Sequence, residues 1–60
     1  MWEDGNAESV RALINAADSA RDKGTKRNYL QQALSSAKLI KDSYQRSNLI
    51  ALINDKLRDL

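Results

Sequence analysis

Apolar residues recur at intervals of three and four along most of this chain, which is the period of an amphipathic helix. They form three separate stripes. The apolar positions are Val10, Leu13, Ile14, Ala16, Ala17 and Ala20 in the first stripe, Leu30, Ala33, Leu34, Ala37 and Ile40 in the second, and Leu49, Ile50, Leu52, Ile53 and Leu57 in the third. The pattern predicts three helices, over about residues 7–23, 26–41 and 43–58.

Residues typical of helix ends separate the stripes. Gly24 follows the first stripe, where a glycine in the left-handed conformation would close the helix, and Thr25 would cap the second helix. Asp42 stands three residues before Gln45, a spacing that resembles a capping box with Asp in place of Ser or Thr. The sequence therefore predicts breaks near residues 24 and 42.

The break at Asp42 agrees with a shift in the phase of the apolar stripe. Continuing the seven-residue spacing of Leu30 and Ala37 leads to Ala51, whereas the strong third stripe falls on Leu49 and Ile53. A straight helix through this segment would split its apolar face, so a corner is favoured over one long helix.

Short connections predict antiparallel neighbours, and hence an all-α, three-helix up-down-up bundle in which residues 1–60 form one domain. Residues 1–6 are predicted to be a flexible lead-in, with Asp4 or Asn6 as the first cap, and Trp2 is a candidate for covering the open end. Tyr44 is expected to pack at the corner. The predicted core is Val10, Leu13, Ala17, Leu30, Leu34, Ala37, Ile40, Leu49, Ile53 and Leu57.

Composition supports this fold class and argues against catalysis. The 60 residues contain no Pro, Cys or His, so thiol and imidazole chemistry are excluded and no cofactor or metal is expected. The net charge is +2, and no apolar run is long enough to cross a bilayer. We expect a soluble protein that is not an enzyme, cytoplasmic if it is natural or recombinantly expressed.

Part of the chain resembles the helical hairpins of HEAT-like and TPR-like repeats. In those hairpins an Asp opens the second helix and an Arg one turn later lies near the corner. The residues that carry the resemblance are Ala33, Ala37, Ile40, Asp42, Tyr44, Arg46, Ser47 and Leu49, about a third of the chain. The resemblance implies an α-hairpin unit that serves as a binding scaffold.

Two groups of residues are candidates for binding a partner. One group is apolar and exceeds what a three-helix core needs, so that together its members would form a patch for self-association or for a partner protein: Leu39, Ile50, Leu52 and Leu60. The other group is polar. It consists of Gln45, Arg46 and Asn48, side chains that also read base edges in DNA.

Nucleic-acid binding is the weaker of the partner hypotheses. Phosphate contacts would come from a basic group made of Arg21, Lys23, Lys26 and Arg27. That group lies at the opposite end of the second helix from Gln45, and a net charge of +2 steers DNA little.

The leading hypothesis is a designed or engineered structural scaffold, because well-capped helices without Cys, His or Pro are typical of design. The alternatives are a natural protein-interaction module and, third, a small DNA-binding domain.

Overall fold

A computed structural model describes residues 5–60, with Gly5 described by its backbone alone. The chain forms α1 (Gly5–Ser19), α2 (Lys23–Ala37) and α3 (Ser43–Arg58), and residues 5–60 contain no strand. The predicted roles of Trp2 and Asp4 fall on residues outside this range. The all-α class with three helices is confirmed.

Contacts at the two ends of the molecule define the topology. The Asn6 side-chain amide donates to the Leu39 carbonyl at 3.3 Å, which places the start of α1 beside the end of α2. The Lys56 ammonium lies 3.0 Å from the Asp18 carboxylate, which places the end of α3 beside the end of α1. Consequently α2 runs antiparallel to α1 and α3 returns in the direction of α1, the predicted up-down-up order.

The first connection is built differently from the prediction. α1 ends at Ser19, and α2 begins at Lys23 with Asp22 as its cap. The Asp22 carboxylate accepts from the Thr25 backbone N–H at 3.0 Å and from the Thr25 hydroxyl at 3.2 Å. Thr25 is thus the partner of the cap, because a carboxylate three residues earlier satisfies its free N–H. Gly24 lies inside α2 without a positive φ, so its predicted role as a helix terminator is wrong.

The second connection starts earlier than predicted and ends where predicted. α2 ends at Ala37 rather than near residue 41, because Leu39 and Ile40 donate to carbonyls three residues back at 3.0 and 3.1 Å, which tightens the last turn. Asp42 caps α3 as predicted, accepting from the Gln45 backbone N–H at 3.4 Å. At the other end of the chain, Asn6 is not a cap, because α1 already begins at Gly5.

The core lies mainly between α1 and α2. The buried residues are Ala7, Val10, Ile14, Ala17, Leu30, Ala33, Ala37, Ile40 and Ile53. Four residues predicted to be in the core, Leu13, Leu34, Leu49 and Leu57, are half-buried against it, while the prediction omitted Ala7, Ile14 and Ala33. Alanine has no bulk beyond Cβ, so the two Ala-rich helices share the most extensive contact, and α3 inserts a single buried side chain, Ile53.

Candidate interaction surface on helix α3

Helix α3 covers the α1–α2 pair shallowly. Ile53 is fully buried, and Leu49, Ile50 and Leu57 pack against the core while remaining half-buried. Leu52, the neighbour of Ile53 in the chain, keeps 42% of its surface exposed. A helix turns about 100° per residue, so one deeply buried position leaves the position before it at the edge of the contact. Helix α3 therefore has an apolar edge that the rest of residues 5–60 does not cover.

The structure separates the apolar residues that the sequence grouped as one patch. Residues two positions apart on a helix do not share a face, so Ile50 and Leu52 lie on opposite flanks of α3. Ile50 packs against the core, whereas Leu52 is exposed. Leu39 lies in the turn after α2 and is 66% exposed. Leu60 also packs against the core, so Leu39 and Leu52 are the exposed members of the group that the sequence proposed.

Leu52 belongs to a flank of otherwise polar residues. This side of α3 is here called the Leu52 flank. Its members lie at successive intervals of three, four and seven residues, which places them on one side of the helix: Gln45, Asn48, Leu52 and Asp59. Gln45 is half-buried and the other three are exposed. Lys56, one turn after Leu52, binds Asp18 of α1, so the flank borders the groove between α3 and α1.

Arg46 has a structural contact in the corner, whereas Gln45 and Asn48, the other polar candidates on α3, lie on the Leu52 flank. The Arg46 guanidinium donates to the Ile40 carbonyl at 2.8 Å in a half-buried position. Ile40 lies in the corner just after α2, where carbonyls have no helical partner. Arg46 thus closes the corner from the inner face of α3, two turns before Ile53, while Gln45 and Asn48 lie on the Leu52 flank. The sequence placed Arg46 near the corner but assigned it to a binding surface.

The basic group lies at the other end of the molecule. Lys26 donates to the Ala17 carbonyl at 3.3 Å and so joins α2 to the end of α1. Arg21, Lys23 and Arg27 are exposed around the same turn. The length of α2 separates them from the α3 corner, about 20 Å at 1.5 Å per residue. The structure therefore does not bring the basic group together with Gln45 and Asn48.

Tyr44 does not pack at the corner as predicted; it is 75% exposed on the first turn of α3.

Within residues 5–60, no three acidic side chains are grouped closely enough to hold a metal ion. None of the three helices has the length and apolar character needed to span a membrane.

Comparison with known proteins returns no match to a family model, to a curated protein or to a solved structure.

Proposed function

We propose that this protein is a non-catalytic helical scaffold that self-associates, pairing the Leu52 flank of α3 with the same flank of a second copy. The observation that carries the proposal is the 42% exposure of Leu52, a large aliphatic side chain in the middle of a helix. Removing apolar surface from water stabilises a contact by about 25 cal/mol per Å². A second copy would cover this surface, which residues 5–60 leave open.

The spacing of the flank favours an antiparallel pair with two-fold symmetry. Gln45 precedes Leu52 by seven residues and Asp59 follows it by seven, which is two helical turns in each direction. In a two-fold interface, a residue that contacts a second one is matched by the reciprocal contact. A pair centred on Leu52 therefore brings each Gln45 amide opposite the Asp59 carboxylate of the other copy.

Charge complementarity favours the same orientation. Asp59 is the C-cap of α3, where a negative charge adds to the negative end of the helix dipole. Gln45 lies in the first turn of α3, at the positive end of the dipole. Antiparallel pairing places the Asp59 carboxylate of one copy near the start of the other copy's α3. The Asp59 carboxylate is unfavourable at the C-terminal end of its own helix, and in the dimer it would gain a favourable contact with the positive end of the other copy's α3.

The association should be weak, because one helix flank buries less than the roughly 1,600 Å² of a standard interface. We expect a dissociation constant between about 1 μM and 1 mM. Sedimentation equilibrium over a concentration series spanning that range should show a monomer–dimer equilibrium. A monomer at every concentration would refute self-association and leave the binding of a different protein, as the hairpin resemblance implies.

Two substitutions on α3 form a matched pair for this experiment. Leu52→Glu places a charge at the centre of the proposed contact and should raise the dissociation constant at least about tenfold, equivalent to about 1.4 kcal/mol. Asn54→Glu adds the same charge two residues away on the opposite flank, where Asn54 is exposed, and should leave the dissociation constant unchanged. Equal effects of the two variants would contradict the assignment of the interface.

A second pair of substitutions tests the register. Gln45→Lys places a cation opposite Asp59 of the other copy and should tighten the dimer, whereas Gln45→Glu places two carboxylates together and should weaken it. Both effects should diminish at high salt. If the two variants behave alike, the chains do not pair in the antiparallel register centred on Leu52.

Nucleic-acid binding has less support, because the Arg46 guanidinium already donates to Ile40 and Lys26 to Ala17. Salt-dependent binding to random duplex DNA that is lost in Lys26→Ala would overturn this judgement.

The design hypothesis concerns the origin of the protein rather than its activity. A thermal transition above about 90 °C would favour design, because natural domains of ordinary stability unfold well below that temperature.

A further inference from the structure

The corner between α2 and α3, residues 38–42, contains no residue type that prevents a helix from continuing through it. Neither Gly nor Pro occurs in it, and none of its residues has a positive φ. Lys38 already has right-handed helical angles, with φ −64° and ψ −18°. Asp42 departs from them, because its φ of −74° and ψ of 117° are those of an extended residue. A change of backbone angles confined to this corner would therefore join α2 and α3 into one helix.

Two hydrogen bonds of the corner belong to the bent chain alone. The Asp42 carboxylate accepts from the Gln45 backbone N–H at 3.4 Å, and the Arg46 guanidinium donates to the Ile40 carbonyl at 2.8 Å. In a continuous helix the Ile40 carbonyl would accept from the backbone N–H of Tyr44, four residues later. The Arg46 side chain and a continuous helix therefore compete for the same oxygen atom.

Tyr44 lies where a continuous helix would extend the apolar stripe of α2. The buried positions of α2 and the following turn have intervals of three, four and three: Leu30, Ala33, Ala37 and Ile40. The next interval of four leads to Tyr44, which is 75% exposed in the bent chain. In one helix Tyr44 and Ile40 would share a face. The continuous helix thus gives this exposed aromatic side chain a place on an apolar face.

We propose that two copies of this chain exchange α3, with α2 and α3 joined into one helix and each α3 packed on the α1–α2 pair of the other copy. Ile53 follows Ile40 by 13 residues, which at about 100° per residue places it about 140° away around a continuous helix. One straight chain cannot bury both sides. In the exchanged pair, the α2 stripe packs on its own α1 and Ile53 packs in the core of the other copy.

A second copy is the occupant that the contacts of α3 specify. The surface that α3 would leave on α1 and α2 already fits Ile53 and places Asp18 3.0 Å from Lys56. Exchange of an identical element remakes these contacts between copies, so it costs little. Detachment is eased because Ile53 is the buried side chain that α3 contributes. Pairing through the Leu52 flank keeps both chains bent, so that proposal and this one fail independently.

Proline at residue 43 distinguishes the bent chain from the continuous helix. Ser43 is the first residue of α3, a position that tolerates proline, and Asp42 already has the extended backbone that a following proline requires. In a continuous helix the same proline would be internal and would break it. Ser43→Pro should therefore preserve the helical circular dichroism of the monomer and prevent exchange, whereas Ser43→Ala should permit it.

Size-exclusion chromatography measures the exchange. Asp42→Ala removes the cap and introduces the strongest helix former, so it should raise the association constant of the exchanged dimer by about tenfold or more. The chains carry Leu52→Glu, which removes pairing through the Leu52 flank, and are incubated in millimolar solution and then diluted. The dimer should persist after dilution, because separation requires α3 to detach. Failure of the Asp42→Ala chain to dimerise, or a dimer that Ser43→Pro does not remove, would overturn the proposal.

A distance within one chain shows directly whether the corner has straightened. The sequence has no Cys, so Gln31→Cys and Asn54→Cys, at exposed positions of α2 and α3, place two spin labels specifically. The labels lie on adjacent helices in the bent chain, whereas a continuous helix separates the two residues by about 35 Å. The Asp42→Ala dimer, formed with an excess of unlabelled chain, should show the longer distance. A dimer with the distance of the monomer would refute exchange.

Discussion

Ile53 is the residue through which α3 is anchored, and its truncation provides a quantitative test of the fold. It is the buried residue of α3, with 0% exposure, whereas Leu52 beside it is 42% exposed. Ile53→Ala removes three carbon atoms from a site that the surrounding chain fills. Leu52→Ala removes a similar volume from the edge of the same helix. Both variants replace a large aliphatic side chain by alanine in the same helix, so the difference between their free energies of unfolding reports mainly the difference in burial.

The expected magnitude follows from burial. Three buried carbons correspond to about 2.4 kcal/mol at about 0.8 kcal/mol each, and the residual cavity extends the range for Ile→Ala to about 2–5 kcal/mol. A chain of 60 residues has a total stability of about 3–9 kcal/mol at typical values per residue. Ile53→Ala should therefore remove a large fraction of the stability and lower Tm by about 10 °C or more. Leu52→Ala should cost less than about 1 kcal/mol.

Urea unfolding followed by far-ultraviolet circular dichroism measures both free energies of unfolding. The midpoint should fall sharply for Ile53→Ala and hardly for Leu52→Ala, with unchanged slopes if unfolding stays two-state. Measurements at low protein concentration keep any association of the Leu52 flank from contributing. Equal losses at the two positions, or a larger loss at Leu52, would refute the orientation of α3 described above.

Three further tests concern the contacts at the helix ends. Arg46→Met keeps the aliphatic stem but removes the 2.8 Å hydrogen bond to the corner carbonyl, and should cost about 1–2 kcal/mol in urea unfolding. The control Arg58→Met, at an exposed ion pair, should change stability by less than about 0.5 kcal/mol. Asp42→Ala removes the α3 cap and should cost about 0.5–2 kcal/mol, with Asp42→Asn recovering most of it. The Lys56–Asp18 pair, with side chains 30% and 56% exposed, should show a coupling below about 1 kcal/mol that vanishes near 1 M salt. A coupling that persists at high salt would show that the contact is not mainly ionic.

The bounds of α3 could be predicted because its signals are local and agree with one another. Asp42 provides a side-chain acceptor, and the apolar phase changes at the same place. The first connection could not be predicted in the same way. The sequence indicated Gly24 as the end of α1 and Thr25 as the N-cap of α2, whereas in the structure the N-cap is Asp22. Asp22 and Thr25 are both acceptable N-cap residues for helices that begin three residues apart, and pattern alone does not rank them.

The candidate surface was predicted in part. Leu52, Gln45 and Asn48 were named from the sequence, but the grouping was not, because it depends on which side of α3 faces the core. Arg46 carried no signal of its structural role, since the carbonyl it satisfies belongs to a turn whose geometry exists only in the folded chain. The Lys26 contact with the Ala17 carbonyl was missed for the same reason.

The sequence by itself determined the number of helices, their order and the corner at Asp42, because apolar spacing and capping act over a few residues. Tertiary structure decided the depth at which each helix packs. The Ala-rich faces of α1 and α2 bury Ala17, Ala33 and Ala37 between them, and α3 turns Ile53 toward this core, which leaves Leu52, about 100° away on the helix, at the edge of the contact. The rotation of α3 about its own axis depends on how its side chains pack against α1 and α2, which no local pattern specifies, and that rotation is the reason Ile53 is buried and Leu52 is exposed.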